Sequence, residues 1–487
     1  MMRIEKTTTG CIIKEPSDEI KRKVLQYFSL KQPVREFFIY SGNDPDRPPI
    51  FGHERDVLYI SSGFLNIADD VIRRETKWKK EITPSNGKAI SLGSTREPRS
   101  ELQKDCIKVL TTSNSHKITC ELKPGVGKTF IALYSISKLG LKPLIVAPTT
   151  LLKSQWTDEF INEGIPKEDI TNNIYEAPSH KFCVVTITSL ENAMRDDWNG
   201  LMKVIKQADF GIKIIDEAHL HLKGILKFDA ICNIKRNWYL SATLGRSDEM
   251  EDKILNRSLL DAQRFVGSKK YVEYQKEYIQ IYLQDCYYNM SAQHCEQYFK
   301  YGTKGLIKPT YYNALMAYKG GVPFISNILT VYKRMKAIMP EEERKHKTII
   351  LVPMIRIIDK LIEVMSADEY FKNTHIVGVD GRMKISEKTV ALAENELIIS
   401  TSMSMGTGVD VKDLNLVINF DQYASPIITN QSIGRARDRG WLCYYVDIKD
   451  ICKYAKTISN WGNQRRYLEP YFAGVIQSFK QLPDLRK

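Results

Sequence analysis

The chain has 487 residues and 56.1 kDa, with 43% hydrophobic and 26% charged residues, which excludes a mostly disordered polypeptide and suggests about three domains. Seventy-one Lys and Arg against 58 Asp and Glu give a net charge of +13, which favours polyanionic partners, nucleic acid first. No run approaches the roughly 18 to 20 apolar residues of a membrane span, no signal-peptide core opens the chain, and nine scattered cysteines without a C-x-x-C pair suit reduced thiols in a cytosolic compartment.

Residues 1–95 are expected to form an accessory domain. Turn-rich segments interrupt it at Gly42-Asn43-Asp44-Pro45 and at Thr83-Pro84-Ser85-Asn86-Gly87. Between them runs a basic stretch, Arg73-Arg74 to Lys77-Trp78-Lys79-Lys80. Such a run is more often a solvated helix face; the functional alternative is contact with duplex flanks.

From about residue 96 short apolar runs alternate with amphipathic segments. Lys117 to Leu122, Leu144 to Ala147, Cys183 to Ile187, Ile212 to Ile215 and Trp238 to Ser241 read as buried strands. Lys128 to Lys138 and Thr150 to Asn162 read as helices between them. The alternation returns over 341–457, with strands at Thr348 to Val352, His375 to Val379, Glu396 to Thr401, Leu416 to Phe420 and Leu442 to Val446. Two α/β units with parallel sheets follow, the first over 96–250. Residues 251–340 are expected as a Tyr-rich insertion and 458–487 as a C-terminal tail. The middle region carries Tyr271, Tyr274, Tyr278, Tyr282, Tyr287, Tyr288, Tyr298 and Tyr301, with Lys304, Lys308 and Lys319 nearby. A nucleic-acid clamp competes there with plain packing of the rings, and packing is favoured for most of them. Cys286, His294 and Cys295 come nearest to a metal cluster, but their spacing matches no common zinc pattern.

The sharpest local signal is Pro124-Gly125-Val126-Gly127-Lys128-Thr129, between a predicted strand and a predicted helix. Glycines let backbone N–H groups turn toward an anion, and the helix start adds partial positive charge. Lys128 would reach the β- and γ-phosphates, and Thr129 would ligate Mg²⁺. A second signal is Ile214-Ile215-Asp216-Glu217-Ala218-His219, a buried strand ending in adjacent carboxylates. Asp216 can hold Mg²⁺, and Glu217 can act as general base on the attacking water.

The remaining signals gain weight from their order. Pro148-Thr149-Thr150-Leu151-Leu152, then Gln155-Trp156, follows the second strand, and Thr188-Ser189-Leu190 follows the third. Ser241-Ala242-Thr243 follows the acidic pair. The second unit carries Thr401-Ser402, Gly406-Thr407-Gly408-Val409-Asp410 and Gln431-Ser432-Ile433-Gly434-Arg435-Ala436-Arg437.

This ordered set, over residues 98–457, resembles the superfamily 2 helicases. The phosphate loop stands as motif I, Pro148-Thr149 as Ia, the DEAH box as II, Ser241-Ala242-Thr243 as III, Gly406 to Asp410 as V and Gln431 to Arg437 as VI. The resemblance implies two tandem RecA-like domains. It implies ATP and Mg²⁺ as cofactors, with Gln103 reading the adenine. Pro124, Gly125, Val126, Gly127, Lys128, Thr129, Gly408, Asp410 and Gln431 would line the nucleotide, and Thr129 and Asp216 would hold the metal. Lys128, Asp216, Glu217, Arg435 and Arg437 would carry catalysis, the arginines arriving from the second unit as the cleft closes. Pro148, Thr149, Thr188, Ser189 and Thr401 would contact the nucleic-acid backbone, and His219, Ser241 and Thr243 would couple the two sites. Two departures stand out. The phosphate loop has Leu122 where the pattern begins with Gly or Ala, and the last Arg of motif VI falls on Asp438, with Arg437 and Arg439 beside it.

Pro-Thr-x-x-Leu-x-x-Gln-Trp with a DEAH box resembles the duplex-DNA translocases of phage UvsW and XPB type. The whole chain resembles the poxvirus transcript-termination helicases most. That implies a DNA-stimulated ATPase and 3′-to-5′ helicase. Its partners would be single-stranded and duplex DNA, nascent RNA or an RNA–DNA hybrid, and the viral RNA polymerase with its transcription factors, in the host cytoplasm and the virion. No membrane partner is expected. A DEAH-type RNA helicase and a non-catalytic scaffold of a transcription complex are the alternatives.

Overall fold

The computed structural model describes residues 3–14, 57–61, 79–81, 83–92, 96–123, 125–242, 244, 252, 255–256, 258–267, 270–271, 277–302, 305–402, 404–405, 411–423, 429, 432–466 and 476–486. The chain divides into two compact units, Met1–Tyr271 and Val272–Lys487.

Unit 1 contains two sheets. The smaller joins β1 (Arg3–Lys6), β2 (Gly10–Lys14), β3 (Val57–Ser61) and β4 (Lys79–Glu81) in the order β3-β2-β1-β4. The Thr7–Gly10 turn fastens this sheet to the rest of the unit. Thr8 N–H donates to Asn233 Oδ1 at 3.0 Å, Thr8 Oγ1 to Ile234 O at 2.8 Å and Thr9 Oγ1 to Asp229 O at 2.7 Å. Both threonines are buried, so these bonds satisfy polar groups that have left water. Most of the basic stretch, 73–78, lies outside the described residues.

The larger sheet is wholly parallel. It contains β5 (Lys117–Glu121), β6 (Pro143–Ala147), β7 (Ile170–Thr171), β8 (Phe182–Thr186), β9 (Ile212–Ile215), β10 (Arg236–Ser241) and β11 (Gln263–Val266), ordered β11-β5-β10-β9-β6-β8-β7. Three helices bear on the site: α1 (Glu101–Thr112), α2 (Lys128–Leu139) and α3 (Thr150–Asn162). Strands β6 and β9 are buried along their whole length, which explains their unbroken apolar runs. Gly87, at φ +83°, packs on Gly211; a Cβ there would stand 2.1 Å from Gly211 Cα, so only glycine fits.

Unit 2 is built on a second parallel sheet of β12 (Ile279–Tyr287), β15 (Lys347–Val352), β16 (Ile376–Val379), β17 (Leu397–Thr401), β18 (Leu414–Asn419), β19 (Cys443–Ile451) and β20 (Ile476–Gln481). Its order is β16-β17-β15-β18-β19-β12-β20, and β21 (Leu485–Arg486) also pairs with β12. A short hairpin, β13 (Tyr301–Gly302) with β14 (Gly305–Leu306), stands apart.

Two expected boundaries move. Residues 251–340 are not one insertion: Gln263–Val266 extends the first sheet, and Ile279–Tyr287 is an interior strand of the second. The C-terminal stretch is likewise part of the second sheet, because Ile476–Gln481 pairs with Ile279–Leu283. Sequence alternation missed both because the partners lie far apart along the chain. The tyrosines mostly pack. Tyr271, Tyr278, Tyr282 and Tyr288 are buried, and Tyr301 is 65% exposed. Tyr274 and Lys304 lie outside the described residues. Lys308 is half-buried and ion-paired with Asp421. His294 Nε2 is 2.9 Å from Ala314 O, and no metal-type cluster occurs among the described residues. Cys106, Cys120, Cys183, Cys232, Cys286, Cys295, Cys443 and Cys452 are buried free thiols. No described helix is long and apolar enough to cross a membrane.

Candidate active site

In unit 1 the candidate residues gather at the C-terminal ends of parallel strands, the edge where open α/β sheets bind ligands. Strand β5 ends at Glu121 and the phosphate loop follows. Gly125 and Gly127 have φ of 86° and 88°, left-handed values that favour glycine. Lys128 and Thr129 then open α2, whose first-turn N–H groups are the donors an anion would take. Pro124 lies outside the described residues.

Gln103 braces this loop. It sits in the first turn of α1, which Ser100 caps, and is 2% exposed. Its Nε2 donates to Val126 O at 2.9 Å, and its Oε1 accepts from Arg99 N–H at 2.9 Å. Arg99 also donates to Gly125 O at 3.0 Å. A Cβ at Gly127 would meet Gln103 Nε2 at 2.8 Å. The residue expected to read adenine thus also holds the loop's shape.

Strand β9 ends at Ile215 and delivers the acidic pair. Glu217 has φ 47°, a conformation that costs a non-glycine residue on the order of 1–3 kcal/mol. It turns the Glu217 carboxylate to Lys128, whose Nζ lies 2.9 Å from Oε1. The Glu217 N–H donates to Asp216 Oδ1 at 2.9 Å. Burial, then the neighbouring Glu217 charge, pushes the Asp216 carboxyl up to about 6. Burial acts on Glu217 in the same sense, but Lys128 and His219 overcome it and hold Glu217 below its ordinary value. The Asp216 carboxylate and the hydroxyl of Thr129 at the start of α2 are hard oxygen donors of the kind Mg²⁺ takes.

Motif II is tied to motif III. Ala218 N–H donates to Leu240 O at 2.9 Å, and His219 Nδ1 lies 2.7 Å from Ser241 Oγ. His219 and Ser241 are both buried. Thr243 lies outside the described residues.

Strands β6 and β8 bring up the expected nucleic-acid contacts. Thr149 caps α3, its Oγ1 accepting from Leu152 N–H at 3.3 Å, with the buried Pro148 before it. Thr188 and Ser189 are exposed in the first turn of helix Ile187–Asp196, whose cap is Thr186. One contact went unread in the sequence. Trp156, known there only as part of a pattern, is 1% exposed and donates its indole N–H to Asp216 Oδ2 at 2.9 Å.

In unit 2, Thr401 ends β17 and bonds to Ser404 Oγ at 2.7 Å. Arg435 is 8% exposed, and burial with the nearby Arg437 charge brings its guanidinium down to about 10. Arg437 and Arg439 are half-buried. Gly408, Asp410 and Gln431 lie outside the described residues.

Fold and site together define a tandem parallel-sheet protein with a P-loop ATPase centre. Residues 93–246 match the family described as type III restriction enzyme, res subunit, and residues 330–440 match the helicase conserved C-terminal domain. Helicase domains together with helicases among its relatives mark the chain as an ATP-hydrolysing helicase. It is 26% identical to a protein of Acanthamoeba polyphaga mimivirus assigned as the ATP-dependent RNA helicase L396, over 74% of this chain and 66% of the relative. It is 22% identical to transcript termination protein A18 of Yaba-like disease virus, over 77% of each chain. It spans 31% of the length of African swine fever virus relatives to which it is 31% identical. Among solved structures, S. cerevisiae Dbp5 bound to RNA and ADP BeF3 matches with a TM-score of 0.52 at 14% identity, over 80% of this chain and 90% of that one, which is a likeness of fold.

Proposed function

We propose that the protein is a DNA-stimulated ATPase that translocates 3′ to 5′ along DNA and releases nascent RNA at the end of viral transcription. What carries this reading is the likeness to a transcript termination protein over 77% of both chains, joined to the Pro148-Thr149 and Gln155-Trp156 pattern of duplex translocases.

Lys128 and the loop amides bind the β- and γ-phosphates of ATP. Thr129 and Asp216 would hold Mg²⁺, which would neutralise phosphate charge when bound. Glu217 accepts the proton of the attacking water. Arg435 and Arg437 meet the charge developing on the γ-phosphate, a contribution on the order of 10³- to 10⁵-fold in related phosphoryl transfers. Gly408, Asp410 and Gln431 line the nucleotide from the same unit as the arginines. Pro148, Thr149, Thr188, Ser189 and Thr401 grip the nucleic-acid backbone, so binding is independent of sequence and weakens with salt. His219, Ser241 and Thr243 pass the state of one site to the other. The partners on this reading are DNA, the nascent transcript and the viral polymerase. On this reading the protein works in the host cytoplasm and is carried in the virion.

A second reading, an RNA helicase, is favoured by the names of the mimivirus and African swine fever virus relatives. The test is release of labelled RNA from stalled viral elongation complexes. Release that needs ATP and is lost in Lys128→Ala supports the first reading. Unwinding of RNA duplexes without any release of nascent RNA supports the second.

A further inference from the structure

Helix α3 joins two parts of unit 1 that have separate chemistry. Its cap, Thr149, follows Pro148 at the end of β6. Two turns along, Trp156 reaches the metal carboxylate; seven residues of helix span about 10 Å. The indole is fixed by packing. Its ring lies 6.5 Å from Phe160, which lies 4.7 Å from Phe182 on β8. The indole N–H donates to Asp216 Oδ2 at 2.9 Å, and the Glu217 N–H holds Oδ1 at 2.9 Å. The carboxylate therefore has its rotamer set from both oxygens, with one constraint coming from its own turn and the other from α3.

We propose that Trp156 is a positioning residue: its indole N–H sets the Asp216 carboxylate for a divalent cation, and α3 transmits nucleic-acid engagement at Pro148 and Thr149 to that carboxylate. The transmission rests on the nucleic-acid reading of the helix start given above. The physical reason is that a carboxylate at 7% exposure has little water to orient it, so each neutral donor counts. A phenylalanine can preserve most of the ring packing while it removes the donor. A shift of α3 by a few tenths of an ångström would change the N–H···O bond without moving β9.

The test uses the full chain and reads Mg²⁺ binding directly, as the Mg²⁺ concentration needed for ADP to raise the melting temperature, with and without oligonucleotide. In the parent, oligonucleotide lowers that concentration. In Trp156→Phe the requirement without oligonucleotide rises roughly tenfold, as expected for losing a hydrogen bond to a charged group, and oligonucleotide no longer lowers it. Trp156→Tyr, which offers an O–H, recovers part of the loss. An unchanged Mg²⁺ requirement in Trp156→Phe, or an undiminished oligonucleotide effect there, overturns the proposal. Thr149→Ala separates this from the reading beneath it. Parent-like oligonucleotide binding in Thr149→Ala overturns the nucleic-acid role of the helix start and the transmission with it; the Mg²⁺ shift without oligonucleotide tests positioning alone. Should Trp156→Phe not fold, ¹⁵N-tryptophan labelling of the parent gives a second measurement. One of the six indole N–H signals moves on adding Mg²⁺ and ADP, and if none moves the proposal fails.

Discussion

Lys128 Nζ stands 2.9 Å from Glu217 Oε1, so the phosphate-loop cation and the general base of the proposed reaction form one ion pair. The pair is partly buried, with side chains 14% and 11% exposed. The ammonium, with His219, holds the Glu217 carboxyl below its ordinary value against the effect of burial. A γ-phosphate that takes the ammonium thereby frees the carboxylate for water.

Glu217→Gln should separate binding from chemistry. Hydrolysis falls by roughly 10²-fold or more, the usual worth of a positioned general base. ATP affinity is kept or improved, because Lys128 loses an internal competitor. Filter binding with labelled ATP beside steady-state hydrolysis checks both. Parent-like hydrolysis would remove Glu217 from the base role.

Gln103→Ala should disturb the loop more than the choice of base. The amide spends one donor on Val126 O and one acceptor on Arg99 N–H. Losing a buried bond of this kind costs about 1–3 kcal/mol, so KM for ATP should rise roughly 5- to 100-fold. Comparing ATP with GTP in parent and variant gives the selectivity. A variant with unchanged KM for ATP would deny the bracing role.

Ser241→Ala removes the hydroxyl 2.7 Å from His219 Nδ1 while leaving the β10 backbone in place. ATP hydrolysis in saturating polynucleotide should stay within a few-fold, and strand displacement per ATP should fall further. Equal losses in both would make the contact merely structural.

Asp450 gives a pH signature in unit 2. It is fully buried at the end of β19, and burial pushes its carboxyl up to about 7, with Arg465 and Tyr311 pulling the other way. The folded chain then holds a proton that the unfolded chain gives up near pH 4. Stability therefore falls as pH rises from about 4 to 7 and levels off above. Asp450→Asn should stabilise by roughly 2 to 4 kcal/mol at pH 8, with the gain shrinking toward pH 5. Melting curves at both pH values read this; a gain independent of pH would contradict it.

The strands and loops of both α/β units were legible because their apolar runs sit between Gly, Pro and polar turn residues. Strands β5, β6, β9 and β15 fall within a residue or two of the expected ranges. The phosphate loop and the DEAH box were legible because their chemistry is written in contiguous residues. What could not be read is non-local. Nothing near Ile279–Tyr287 says that it pairs with Cys443–Ile451 and Ile476–Gln481. Packing was the favoured reading for most of the tyrosines, but ring spacing does not reveal which are covered: Tyr278 and Tyr282 are buried while Tyr301 is exposed. Trp156 looked like one of a pattern because a hydrogen bond across 60 residues leaves no local trace. Gln103 was expected from the sequence to read adenine, but nothing in the sequence showed its bond to the loop.

The most direct test of the central claim is ATP hydrolysis measured in parallel without polynucleotide and with single-stranded DNA, duplex DNA and RNA, at two salt concentrations. The account predicts strong stimulation by DNA, little by RNA, and a loss of stimulation at the higher salt. Stimulation by RNA alone would contradict it.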